Sequence, residues 1–166
     1  YQERFRTEKG VFDEFTKRTL FTLSSAGHFD ELVSHLFVGK ESNVFIARKG
    51  KKKVIVKIYR IQTCDFKKMY GYIRQDSRYE KLKRNRREII FAWTQREFKN
   101  LMRAHEAGVK VPKPIAVKNN VLIEEMIGKV EPASQLKNQI PADPEKFIAN
   151  IVRQMKKLYH KAGIVH

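Results

Sequence analysis

Val54-Ile55-Val56-Lys57-Ile58-Tyr59 decides the fold. The run reads as a strand, and side chains on a strand alternate between its two faces. Val54, Val56 and Ile58 therefore share one face, and Ile55, Lys57 and Tyr59 share the other. A lysine between two large apolar groups has two readings. It is a solvent-facing lysine on a half-exposed strand, or it is held by a carboxylate so that its ammonium meets a phosphate.

Upstream, Phe37–Ala47 and this strand read as antiparallel neighbours, joined through a basic turn, Arg48 to Lys53, around Gly50. Val38-Gly39-Lys40-Glu41-Ser42-Asn43 is turn-like. Further back, Phe12, Phe15, Leu20 and Leu23 recur near helical spacing, which predicts a helix over Val11 to Ser24 with Gly27 after its end. Leu32, Val33 and Leu36 predict a second helical turn within Phe29 to Phe37, running into a strand.

Downstream, Arg60 to Arg87 is polar and rich in tyrosine, and connections of that length are usually functional or mobile. From Glu88 the pattern is helical. Ile90, Thr94, Phe98, Leu101 and Met102 share a face, and Gly108 is a suitable stop. Pro112 and Pro114 force an extended exit. Ile115-Ala116-Val117 and Val121-Leu122-Ile123, separated by Asn119-Asn120, predict a hairpin. Gly128 to Ala142 reads as a linker. Asp143-Pro144-Glu145 is a strong helix start, with an N-cap acid and proline at the first helical position. Phe147, Ile148, Ile151, Val152, Met155, Leu158 and Tyr159 give that helix a full apolar face, and Gly163 ends it. The class is α+β: an antiparallel sheet of about five strands, one helix across it, then a linker and a long helix.

Composition narrows the partners. Of 166 residues, 35 are Lys or Arg and 18 are Asp or Glu, a formal net charge of +17. Such a balance attracts polyanions and leaves the fold undetermined. No stretch approaches the ~20 apolar residues of a membrane-spanning helix. The single cysteine, Cys64, excludes an intrachain disulfide and a cysteine-based zinc site, which suits a reducing cytoplasm. Tyr1 to Arg6 carry no apolar signal segment, and the five histidines form no metal pattern.

Glu97 is the candidate partner for Lys57. It lies on or beside the apolar stripe of the predicted helix, where an acid is costly unless paired. It either pairs with the lysine or reaches solvent from the edge of the stripe. A lysine fixed by such a glutamate is placed to contact nucleotide phosphates. Gly39 to Val44 is either a simple hairpin turn or a phosphate cradle in which backbone N–H groups and Ser42 meet the oxygens. Val121 to Gly128 is either an edge strand leaving the sheet or a segment whose backbone holds a base. Lys81 to Arg87, with Tyr70, Tyr72 and Tyr79 nearby, is either a solvated face or a surface on which RNA bases stack.

Four stretches together resemble the RIO family of atypical serine/threonine kinases, closest to its first, archaeal and eukaryotic branch. They are Gly39-Lys40-Glu41-Ser42-Asn43-Val44-Phe45, Val56-Lys57-Ile58-Tyr59-Arg60, Trp93-Thr94-Gln95-Arg96-Glu97-Phe98 and Ala107-Gly108-Val109-Lys110-Val111-Pro112-Lys113-Pro114. The resemblance implies a protein-kinase-like N-lobe that binds ATP with Mg²⁺ or Mn²⁺. Lys57 and Glu97 would be its catalytic ion pair. Gly39, Lys40 and Ser42 would lie at the triphosphate, and backbone groups of Glu125 and Ile127 at adenine. It implies a helical extension over residues 1–37, the N-lobe over 38–127 with a flexible loop at 60–87, a hinge over 128–142 and the start of a C-lobe over 143–166. In the family that loop is autophosphorylated, which makes Ser77 a candidate. The catalytic aspartate and the metal ligands are expected after His166, so no residue here is assigned to them. The family works in maturation of the small ribosomal subunit, in keeping with the charge. Glu124 stands where the family usually has an apolar residue before the hinge, which implies a polar back wall to the adenine pocket. Two functional readings follow: an ATP-dependent kinase or ATPase, and a non-catalytic RNA- or pre-ribosome-binding module on a degenerate kinase scaffold.

Overall fold

The computed structural model describes residues 12–165. The expected helix start at Val11 and the terminal His166 lie outside them. In chain order the elements are α1 (Glu14–Ser25), β1 (Glu31–Val38), β2 (Ser42–Lys49), β3 (Lys52–Tyr59), α2 (Phe66–Ile73), α3 (Arg86–Glu106), β4 (Pro114–Lys118), β5 (Val121–Glu125) and α4 (Pro144–His160). The strands form one antiparallel five-stranded sheet in the order β1-β2-β3-β5-β4. β3 is its centre, paired with β2 through Phe45↔Val56 and with β5 through Val56↔Ile123.

The alternation on β3 splits the core as its sequence predicts. Val54, Val56 and Ile58 join Phe45, Ala47, Val121 and Ile123 in one cluster, closed by Phe12, Leu20 and Leu23 at α1. Ile55 packs with Val44, Ile46 and Met126 on the other face. Tyr59 packs there with Cys64 just before α2, Met69 of α2, and Ile89 and Ile90 of α3. Helices thus cover both faces of the sheet, where the sequence pattern had placed one. The covering helix α1 is capped by Asp13, whose carboxylate accepts from the Thr16 N–H at 2.7 Å. Its grip on the sheet includes Asn120, which is fully buried. The Asn120 amide donates to Thr16 Oγ1 at 3.0 Å and to the Tyr59 carbonyl at 2.9 Å. Neighbouring Asn119 takes the left-handed φ of 53° that closes the β4–β5 hairpin.

Two expectations are corrected. The helical turn expected within Phe29 to Phe37, and with it a helical extension through residue 37, is the strand β1. Register shifts fall between Leu32 and Ser34 and between His35 and Phe37. Each β-bulge adds a residue and breaks the two-residue period. Leu32, Val33 and Leu36 therefore acquire a spacing that mimics a helix. Leu32 joins the core on one face while Leu36 packs on the other. The segment 60–87, expected as a flexible loop, contains α2 and a 3-10 turn at Ser77–Tyr79, and its last two residues begin α3. Its order comes from Met69 and Ile73, both buried.

After β5 the chain turns at Gly128, with φ 139°. A Cβ there would lie 2.1 Å from the Glu131 carbonyl oxygen, so only glycine fits. Lys53 secures this turn through the Val130 carbonyl at 2.8 Å and Glu131 at 3.1 Å. α4 begins as predicted, with Asp143 accepting from the Lys146 N–H at 3.0 Å and Pro144 at the first position. Its apolar face lies open to solvent, and none of its residues is buried. Gln154 and Lys157 tie it to the end of α3, at the Lys110 N–H (3.0 Å) and the Gly108 carbonyl (3.2 Å).

Candidate nucleotide-binding site

Lys57 and Glu97 are 40 residues apart in sequence and in direct contact. α3 crosses the sheet on the Tyr59 side, with Ile89, Ile90 and Thr94 buried against it. The turns that follow bring Glu97 over β3. Lys57 Nζ donates to Glu97 Oε1, and Tyr59 Oη donates to the other carboxylate oxygen, Oε2. Both members of the ion pair keep about a quarter of their side-chain surface, at 22% and 26%. The pair is thus held by structure and reachable by a ligand. Charge-assisted hydrogen bonds of this kind are stronger than neutral ones. Tyr59 is a site residue that the sequence reading treated only as an apolar neighbour. Its signal was its parity: it lies on the same strand face as Lys57.

The Gly39–Ser42 turn joins β1 to β2. The Gly39 N–H donates to the Ser42 carbonyl at 2.7 Å, and a Cβ at Gly39 would lie 3.1 Å from that oxygen. Arg60, which follows β3, folds back on the turn. Its Nη2 donates to the Gly39 carbonyl at 3.0 Å and also to the Lys40 carbonyl. The Arg60 N–H donates to the Glu41 carbonyl at 3.0 Å. The turn is therefore fastened to the end of the lysine strand, and its position relative to Lys57 is fixed. Arg60 is a second positioning residue whose role the sequence pattern did not reveal.

A cleft of about 400 Å³ opens beside Lys57. Leu36, Val44, Ile55, Met126 and Ile127 give it apolar walls, and Ser42, Lys57, Glu124 and Glu125 supply polar groups. Such a cleft, mostly apolar with a few convergent polar groups, suits a small ligand with a flat ring and a charged tail. Of the residues singled out in the sequence, Ser42, Lys57, Glu125 and Ile127 line it. Gly39 and Lys40 lie in the adjoining turn and do not line it, and Glu97 reaches it through Lys57. The Glu125 N–H is engaged by the Lys113 carbonyl at 2.9 Å, and its carboxylate accepts from the Lys113 N–H at 3.2 Å. Ile127 differs. Its carbonyl accepts from Ala133 at 2.7 Å, while its N–H has no acceptor among the described residues. An adenine nucleotide fits these residues: a backbone donor at one end, apolar walls, and an ammonium and a hydroxyl at the other. No cluster of His, Cys, Asp or Glu able to hold a metal ion occurs among the described residues.

The connector between α2 and α3 is latched near the site. Asp76 accepts from Arg78 at 2.5 Å and from Arg96, the neighbour of Glu97, at 3.3 Å. The hydrogen bond from Arg78 draws the Asp76 carboxyl from 3.8 to about 2, against the opposing effect of burial. A lowered pKa means that the folded state favours the carboxylate more than the unfolded chain does. This stabilisation is present above pH 3.8 and is lost as the pH falls toward about 2. The wild-type protein is therefore expected to lose stability more steeply than Asp76→Asn across that window, the two curves converging at the acid end. Urea midpoints measured from pH 6 downward check this. A gap between the two proteins that stays constant with pH would rule the latch out.

The sheet, the crossing helix and the gripped lysine define a protein-kinase-like small lobe. Comparison with known proteins gives the family. The RIO domain family model matches residues 43–166. The RIO-type serine/threonine-protein kinase Rio1 of Methanocaldococcus jannaschii is 42% identical over 167 residues, covering 100% of this chain and 57% of that protein. The protein of the same name from Haloferax volcanii is 38% identical, covering 99% and 57%. The human serine/threonine-protein kinase RIO1 is 30% identical, covering 96% and 29%. The chain belongs to the RIO family. It spans 57% of the length of the two archaeal relatives. Among solved structures, the Rio2 kinase–ADP/Mg²⁺–phosphoaspartate complex from Chaetomium thermophilum superposes with a TM-score of 0.62, covering 90% of this chain and 44% of that one. At 18% identity that likeness speaks for the fold.

Proposed function

We propose that this chain carries the nucleotide-binding part of a RIO-type serine/threonine protein kinase or ATPase. The observation that supports it most is Lys57, held by Glu97 and Tyr59 at the edge of a cleft whose far end offers the Ile127 N–H. In this reading Lys57 binds the α- and β-phosphates, and Glu97 fixes the lysine. Gly39, Lys40 and Ser42 flank the triphosphate, and the backbone at Glu125 and Ile127 receives adenine. ATP supplies the phosphoryl group, with Mg²⁺ or Mn²⁺ as its counter-ion. The acceptor is a protein hydroxyl, Ser77 of the same chain included, or water. Residues 38–127 act as the lobe, 128–142 as the hinge and 143–166 as the start of a second lobe. The net charge of +17 supports an RNA-rich partner, which in this reading is a ribosomal precursor met in the cytoplasm. No described helix is long and apolar enough to cross a membrane.

Calorimetric titration of Mg-ATP into the protein tests the reading. One site per chain is expected, in competition with ADP. Absence of heat with either nucleotide would overturn it.

A basic surface favours a second reading, RNA or pre-ribosome binding without catalysis. Arg74 lies over the Tyr70 ring at 5.8 Å, and Tyr72 is 53% exposed beside it. That reading requires an RNA affinity that falls steeply with salt, responds to charge reversal in Lys81 to Arg87, and ignores Lys57→Ala.

A further inference from the structure

Glu124 is unusual among the acids of this cleft. It lies on β5, paired with Ile55 of β3 on one side and Pro114 of β4 on the other. It faces the same space as Ser42, Lys57 and Ile127. Its neighbours have their partners: Glu97 accepts from Lys57 and Tyr59, and Glu125 accepts from Lys113. Among the described residues no donor reaches the Glu124 carboxyl group within hydrogen-bond distance. Lys57, the nearby cation, is committed to Glu97. Burial pushes the Glu124 carboxyl up, the Lys57 ammonium opposes this, and the Glu97 carboxylate adds to it. The Glu124 carboxyl keeps some contact with solvent, and a ligand that displaces that water must bring an N–H group in its place or leave the acceptor unpaired.

The position of Glu124 selects which part of a ligand that is. Lys57, Ser42 and the Gly39 turn mark the anionic end of the cleft, and the Ile127 N–H marks the end for the ring. Glu124 stands between Lys57 and Ile127 on the rear strand, where it meets the edge of a ring rather than a phosphate. Resting on the nucleotide reading above, we propose that Glu124 is a base-selecting residue, accepting a hydrogen bond from the exocyclic amine of a 6-aminopurine. A 6-oxopurine would place a carbonyl oxygen against the carboxylate, two acceptors facing each other with no proton between them. Sites built to hydrogen-bond a substrate group discriminate strongly against analogues that leave the buried polar atom unpaired.

The test compares ADP with inosine diphosphate, which carries an oxygen in place of the amine. Each is titrated calorimetrically with Mg²⁺ into the wild-type protein, Glu124→Gln and Glu124→Met. The wild type is expected to prefer ADP, and both variants to reduce that preference about tenfold, the worth of one hydrogen bond to a charged group. Glu124→Gln keeps the size of the side chain, and thermal melting verifies that each variant is folded. A ligand-side measurement needs no variant: N6,N6-dimethyl-ADP lacks the donor and is expected to lose about tenfold against ADP in the wild type, and little in Glu124→Met. An ADP preference unchanged within about twofold in both variants would overturn the role of Glu124 while leaving the nucleotide site intact. No binding of any nucleotide by the wild type would overturn the nucleotide reading, and this inference with it.

Discussion

Lys57→Ala is expected to remove ATP-dependent phosphoryl transfer, by about 10²–10³-fold or to below detection. Phosphoryl transfer gives a protein little covalent work, so positioning and charge carry the catalysis. Lys57 is the cation that the fold places at the cleft under a fixed hydrogen bond from its own ammonium to Glu97. Truncation takes away that charge and strands the Glu97 carboxylate with Tyr59 alone. The check is incorporation of labelled phosphate, or ATP hydrolysis, by the complete polypeptide with Mg²⁺, wild type against variant. The variant's melting temperature should be measured alongside, because Lys57 keeps 22% of its surface and its loss should leave the sheet folded. Activity retained in a folded Lys57→Ala protein would defeat the role given to Lys57, and absence of activity in the wild type would favour the RNA-binding reading.

Phe45→Ala is expected to be the most damaging of the core truncations, at about 3–5 kcal/mol. Phe45 is fully buried in the middle of β2, opposite His35 on β1 and Val56 on β3. The Phe12 ring meets it edge-on at 5.3 Å, and the His35 ring does so at 5.0 Å. Removing the ring leaves a void between α1 and the sheet that neither flanking strand can close, because both are held in register. A fall in melting temperature on the order of 10 °C should follow. Phe147→Ala is the contrast. Phe147 lies 37% exposed on the open face of α4, and its truncation should stay within about 0.5 kcal/mol. Comparable losses from the two truncations would mean that the buried and open faces are wrongly assigned.

Read from its residues alone, the chain already placed β3, the parity of Lys57, the Asn119-Asn120 hairpin and the Asp143-Pro144 helix start. Each rests on local physics: a two-residue period, a left-handed turn, a cap, a fixed φ. The same reading paired Lys57 with Glu97 only as one of two alternatives, and the crossing of α3 over β3 decided between them. Other features were out of reach. Nothing in the local sequence says that Tyr59 holds the far oxygen of Glu97, or that Arg60 returns to carbonyls 20 and 21 residues earlier. The spacing of Leu32, Val33 and Leu36 even pointed to a helix, because bulges in β1 had shifted its period. The order in the connector likewise came from Met69 and Ile73 packing out of a mostly polar run. Local pattern fixes what a segment can be and which way its side chains point. Which segments meet depends on strand pairing and burial between residues far apart in sequence, and those contacts exist only once the sheet has closed.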